Sequence, residues 1–274
     1  MKEIIKQNAE LERTILEVAE VAQYLWQNGW AERNAGNISV NVNELIRGHE
    51  FTDIEGYPVF KLNKTYLELA GKYFFVTGTG KRMRDIAKSP MKNAIIIRIA
   101  DDGNSYIMFS RYKSDTYEFR PTSELPTHLG IHQMVAQRGS KEKVIIHTHA
   151  NELVALTHNP EFKSTANINK LIWGMHPEAM VFVQKGVGFV PYIMPGTEEI
   201  AQATIKVLEE HNIVLWEKHG VFAIGENVFD TFDSIDIISK SAKIYFMCKG
   251  AGYTPEGLNS EQLEELKELI KNFS

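Results

Sequence analysis

Apolar residues recur at steps of four and three through Leu11, Ile15, Val18, Ala22 and Leu25, which lays one stripe along an α-helix, and Asn28-Gly29 supplies its stop. A polar turn, Trp30-Ala31-Glu32-Arg33-Asn34-Ala35-Gly36, feeds the alternating run Asn37-Ile38-Ser39-Val40-Asn41-Val42, whose period of two predicts a strand. Residues 43 to about 70, with Gly48, Gly56, Pro58 and scattered apolar positions, read as a long irregular insertion. Tyr73-Phe74-Phe75-Val76 predicts the next strand. A hairpin follows, Ala94 to Ala100 and Tyr106 to Ser110 joined through Asp102-Gly103-Asn104, so the sheet is at least partly antiparallel.

The second half continues the mixture. Leu125, Leu129 and Val135 mark a helix with Thr122 or Ser123 as N-cap, and Asn151 to Thr157 a short helix ended by Asn159-Pro160. Met180 to Val183 reads as a strand and Gly186-Val187-Gly188-Phe189-Val190-Pro191 as a bend. Thr197 caps a helix with Ile200, Thr204 and Leu208 inward, and two strand-like runs flank His219. Phe232, Ile235, Ile238, Ala242 and Tyr245 mark a long helix stopped at Gly250, and Asn259 or Ser260 caps a last one with Leu263, Leu266, Ile270 and Phe273 on its apolar side. One domain spanning 1–274 is expected.

Composition narrows the function classes. A net charge of -5 argues against binding a nucleic-acid backbone, which needs clustered Lys and Arg, but leaves a small phosphorylated metabolite open. The single cysteine, Cys248, excludes an intrachain disulfide and fits a reducing compartment. No run has the length of a membrane span, and the opening residues Met1-Lys2-Glu3-Ile4-Ile5-Lys6-Gln7 are too polar for a signal peptide.

Candidate chemistry centres on Val144-Ile145-Ile146-His147-Thr148-His149-Ala150. Residues two apart on a strand share a face, so His147 and His149 stand side by side in a metal-ligand arrangement that wants a third partner. His219, between two strands and followed by Gly220, is the candidate. Thr77-Gly78-Thr79-Gly80-Lys81 follows a strand as a turn or a phosphate cradle, without Walker spacing. The asparagines around Gly36 make either a simple connection or an anion-holding bend. Glu124 is open between a first-turn carboxylate favoured by the helix dipole and a general acid/base, and Glu178 reads as a solvated carboxylate.

Taken in order, Gly36-Asn37-Ile38-Ser39, Thr77-Gly78-Thr79-Gly80-Lys81, Pro121-Thr122-Ser123-Glu124, His147-Thr148-His149-Ala150, Val190-Pro191 to Pro195-Gly196-Thr197 and His219-Gly220 resemble the class II aldolase and epimerase family across nearly the whole chain. The resemblance implies an α/β fold with a mainly antiparallel central sheet flanked by helices on both sides, assembled as a homotetramer. It implies one Zn2+ per subunit on His147, His149 and His219, Glu124 as catalytic acid/base, and Glu178 as a second catalytic carboxylate that reaches an adjacent subunit's site. Asn34, Asn37, Thr77, Gly78 and Ser123 would hold the phosphate. The expected reaction is reversible aldol cleavage of a phosphorylated ketose to dihydroxyacetone phosphate and lactaldehyde, in deoxy-sugar catabolism in a bacterial cytoplasm. Cleavage of related sugar phosphates, epimerisation or dehydration would use the same residues. A zinc-stabilised, non-catalytic interaction domain fits less well, because a structural zinc usually has four protein ligands and needs no acid/base.

Overall fold

The computed structural model describes residues 8–47, 56–109 and 119–271. The opening segment read for a signal peptide, Gly48, Ser110 and Phe273 lie outside them. Helix α1 (Ala9–Gln27) is capped by Asn8, whose Oδ1 accepts from Leu11 N–H, and buries Leu11, Ile15, Val18, Ala22 and Leu25 as its spacing requires. Strand β1 (Asn37–Asn41) follows the turn. The described part of the segment after it is more ordered than its sequence suggests: a one-turn helix (Asn43–Ile46), strand β2 (Val59–Lys61) and a 3-10 turn (Leu67–Leu69). Strand β3 (Tyr73–Thr77), helix α2 (Met83–Lys88) and the hairpin β4 (Ala94–Ile99) and β5 (Ser105–Phe109) come next.

Helix α3 (Leu125–Gln137) begins one or two residues later than expected: Glu124, not Thr122 or Ser123, occupies the N-cap position. Then come β6 (Val144–Thr148), α4 (Asn151–Leu156), α5 (Thr165–Met175) and α6 (Pro177–Phe182). The strand expected from Met180 to Val183 is therefore helical. Pro177 presets the first helical turn, and Val183 N–H closes a helical bond on Ala179 O at 3.0 Å. The bend expected at 186–191 is strand β7 (Val187–Val190), because Gly186 turns the chain with φ +67° while Gly188 stays extended against α7. Helix α7 (Glu198–Leu208), β8 (Ile213–Trp216), β9 (Gly220–Gly225), α8 (Val228–Gly250) and α9 (Ser260–Lys271) complete the described chain.

The nine strands form one sheet in the order β2-β5-β4-β3-β1-β6-β9-β8-β7, antiparallel throughout except for the parallel pair β7 and β8. Period two divides the side chains between two faces. Ile38, Val40, Phe75, Val144 and Ile146 face α1, α5 and α8, whereas Phe74, Val76, Ile145, Val214, Trp216 and Phe222 face α3 and α7. Three layers result, and the register Asn37 to His147 to Phe222 across β1, β6 and β9 sets polar residues at the centre of the second face.

Candidate active site

The three histidines meet because a strand and a turn converge. β6 carries His147 towards α3 and α7, and His149 follows two residues later on the same side. The turn from β8 to β9 delivers His219: Lys218 takes φ +59° and donates its N–H to Thr157 Oγ1 at 2.8 Å, while His219 N–H returns to Trp216 O at 3.1 Å. Gly220 permits the approach, since a Cβ there would lie 2.5 Å from Thr148 O and 3.0 Å from His149 Cδ2. One ring nitrogen from each histidine lies within 4.8 Å of the others.

The outer partners suit a divalent cation. His147 Nδ1–H donates to Val221 O at 3.0 Å, which leaves Nε2 with a free lone pair, and its ring stacks on Phe222 with centroids 4.1 Å apart. His149 Nδ1 is 3.0 Å from the Glu32 carboxylate. His219 Nδ1 is buried without a hydrogen-bond partner among the described residues. Burial, with the neighbouring His149 and His219, holds His147 well below the ordinary imidazole range, so it stays a neutral ligand. Burial also lowers His219, while the Glu124 and Glu32 carboxylates pull the other way. Three converging imidazoles, one with an orphaned nitrogen, are what a zinc-like ion would satisfy.

Glu124 stands beside them. Its side chain caps nothing; the carboxylate accepts from Asn37 Nδ2 at 2.6 Å, and Oε2 lies 3.6 Å from His147 Nε2. Asn37 is buried, with Oδ1 bonded to His128 Nε2.

The other candidates are placed less directly. Thr77 is buried, and its hydroxyl accepts from Ile38 N–H at 3.0 Å. The amides of Gly78 and Thr79 donate to Asn93 O and Arg120 O, both at 2.9 Å, so these two N–H groups hold the loop itself. Asn34 and Ser123 are exposed. Ser123 and Glu124 line a cleft of about 410 Å³ together with Pro126 and Thr127, the run Leu62, Asn63, Lys64 and Tyr66, and Gly196 to Glu198. Glu178 does not join the cluster: it is exposed at the start of α6 and paired with His176 at 3.0 Å.

Sequence reasoning passed over Glu32, Ser39, His128 and His132, although one signal was present. Glu124, His128 and His132 repeat every four residues, one stripe of α3, opposite Asn37 and Ser39 two apart on β1.

The class II aldolase and adducin N-terminal domain model matches residues 16–246. A rhamnulose-1-phosphate aldolase of Bacteroides thetaiotaomicron is 43% identical over 97% of both chains. Among solved structures, a sugar-phosphate aldolase from Thermotoga maritima superposes with a TM-score of 0.71 at 31% identity, covering 90% of this chain and all of that one. An L-fuculose 1-phosphate aldolase superposes at 0.61 with 20% identity, over 94% and 96% of the two chains, and shares the fold. Because the matched span takes in the histidines, Glu124 and the strands that carry them, likeness in sequence and likeness in architecture converge, and the chain belongs to the class II aldolase family.

Proposed function

We propose that this chain cleaves L-rhamnulose 1-phosphate reversibly to dihydroxyacetone phosphate and L-lactaldehyde, with one zinc held by His147, His149 and His219. The observation that carries the reading is the carboxylate of Glu124 set 3.6 Å from His147 Nε2, in a chain 43% identical to a rhamnulose-1-phosphate aldolase over 97% of its length.

Bound zinc would act as a Lewis acid on the carbonyl and hydroxyl oxygens of the ketose, the electron sink that breaking the C3–C4 bond requires. The protein supplies the rest. Glu124 carries the proton to and from C3, and Asn37 orients it. Asn34, Ser123 and the Thr77-Gly78 loop are proposed to hold the phosphate. For Asn37, which the resemblance puts in the same set, both amide atoms are engaged elsewhere, and we assign it to Glu124 instead.

Cleavage also needs a base at O4. Glu178, exposed and away from the cluster of its own chain, fits that task only from a neighbouring subunit, in keeping with a homotetramer. A cytoplasmic setting goes with this reading.

The test is dihydroxyacetone phosphate release from L-rhamnulose 1-phosphate, with L-fuculose 1-phosphate in parallel, before and after chelation and zinc add-back. Preferential, zinc-restorable cleavage of the rhamnulose ester is expected. Equal or greater cleavage of the fuculose ester would move the assignment to that substrate, and no release from either would overturn the reading.

A further inference from the structure

Behind Glu124 a line of buried polar groups runs into the layer between the sheet and α3. Asn37 bonds to His128 Nε2, His128 Nδ1 is 2.7 Å from Ser39 Oγ, and Ser39 Oγ is 2.9 Å from His132 Nε2. Ser39, His128 and His132 are each at most 3% exposed, and the rings of Phe222 and Phe74 pack against the two imidazoles. Donors and acceptors sealed from water must match one another.

Matching leaves one arrangement of hydrogens. Asn37 Nδ2 donates to Glu124 Oε2 at 2.6 Å, which turns Oδ1 to His128. An amide oxygen only accepts, so His128 carries its hydrogen on Nε2. Burial pushes His128 down to about 3, and the ring is neutral with a lone pair on Nδ1. Ser39 therefore donates to Nδ1, and its oxygen accepts from His132 Nε2–H. An Asn37 amide turned the other way would set its carbonyl oxygen, not its N–H, 2.6 Å from the Glu124 carboxylate oxygen and give up the Nδ2 bond.

We propose that His128, locked as its Nε2–H tautomer by Ser39 and His132, is a positioning residue: it fixes the Asn37 amide with Nδ2 towards Glu124 and so fixes the Glu124 carboxylate beside the histidine cluster. The kinetic consequence rests on the proposed aldolase reaction, and the hydrogen positions do not.

Neutron diffraction of deuterated, zinc-loaded crystals reads those positions. Deuterium on His128 Nε2 and not Nδ1, with the Ser39 deuteron aimed at Nδ1, is expected. Deuterium on His128 Nδ1 overturns the inference even if cleavage is confirmed, and this arm stands if no cleavage is found.

The kinetic arm compares two replacements in the zinc-loaded enzyme. The amide of H128Q reaches the place of Nε2 and keeps a donor for Asn37; the shorter H128N reaches only the place of Nδ1. H128N is expected to lose about tenfold or more in kcat with KM and zinc content within about twofold, and H128Q to recover most of the loss. Equal losses in both variants, or wild-type kcat in H128N, would mark His128 as a packing residue only. If H128N does not fold, S39A replaces it, with kcat expected several-fold lower at unchanged zinc content. Unchanged kcat in S39A would overturn the role.

Discussion

At Glu124 the carboxylate's own partner separates two readings that residue type leaves open. A first-turn acid that steadied its helix would bond to an amide of that helix, and this one accepts from Asn37, 87 residues earlier. Replacing it with glutamine keeps size and packing while removing the proton carrier. E124Q is expected to retain metal and fold, measured by metal analysis and circular dichroism, and to lose about 10²- to 10⁴-fold in kcat. H147A or H149A is expected instead to lower zinc stoichiometry; unchanged metal content would remove that residue from the ligand set.

His128 and His132 give a pH signature. Burial, with His147 nearby as the lesser cause, puts His128 at about 3 in the folded chain, and burial with His128 and Lys72 puts His132 well below the ordinary 6.5. Below pH 6.5 the unfolded chain takes up protons that the folded chain refuses, so stability falls as pH falls, by up to about 1.4 kcal/mol per pH unit for each group. H128Q removes one of these contributions. Urea midpoints between pH 7 and 5, with chelator present throughout, are expected to fall less steeply in H128Q than in the wild type.

His147 and His149 were legible because side chains two apart along an extended run share a side, a local rule that holds although β6 ends at Thr148. His128 and His132 were not, since histidine at helical spacing is ordinary until β1 supplies Asn37 and Ser39 opposite it, and that pairing comes only from tertiary structure.

Among the elements, amphipathic helices with sequence-coded caps were read well. Thr197 and Asn259 each accept the capping bond their position suggests. Short apolar runs were read badly. Met180 to Val183 looks like a strand by composition, yet Pro177 sets a helical start and buried Ala179 and Met180 face the core. Helix α5 was passed over although Ile168, Leu171 and Ile172 have helical spacing and Ser164 caps Asn167 N–H. β7 is hidden by its glycines: Gly188 lies where a Cβ would be 2.0 Å from Val207 Cγ1, so its absent side chain serves helix packing rather than a bend.

The same logic gives an expectation for the turn between β8 and β9. In G220A the new methyl meets Thr148 O, a backbone atom that cannot rotate away, and the turn must carry His219 off the other two rings. Zinc affinity is expected to drop about tenfold or more and stability by about 1–3 kcal/mol. Calorimetric zinc titration and urea melts check the two effects.

For the whole molecule, the ligands tie β6 to the β8–β9 turn across the second face of the sheet, so metal binding and folding are coupled. Zinc at about a hundred times its Kd is expected to add roughly 2.7 kcal/mol, seen as a rise in Tm that chelator abolishes. An unchanged Tm would mean that the ion does not prefer the folded state. At this scale the overall pattern of strands and helices was legible from periodicity, but the order of the nine described strands was not, because four of its eight pairings, β2 with β5, β3 with β1, β1 with β6 and β6 with β9, join strands that are not consecutive in the chain.

That order bears on how the molecule is made. At the centre of the sheet β1 lies between β3 and β6, and Asn37 sits opposite His147. Closing such large loops costs chain entropy before any contact repays it, so these central pairings raise the contact order and slow the search. A chain emerging from the ribosome holds Asn37, Glu124, His147 and His149 well before His219, and the third ligand arrives only with the hairpin that closes on β6. Metal uptake is thereby deferred until the sheet is nearly complete: the ion certifies a finished fold and does not nucleate one.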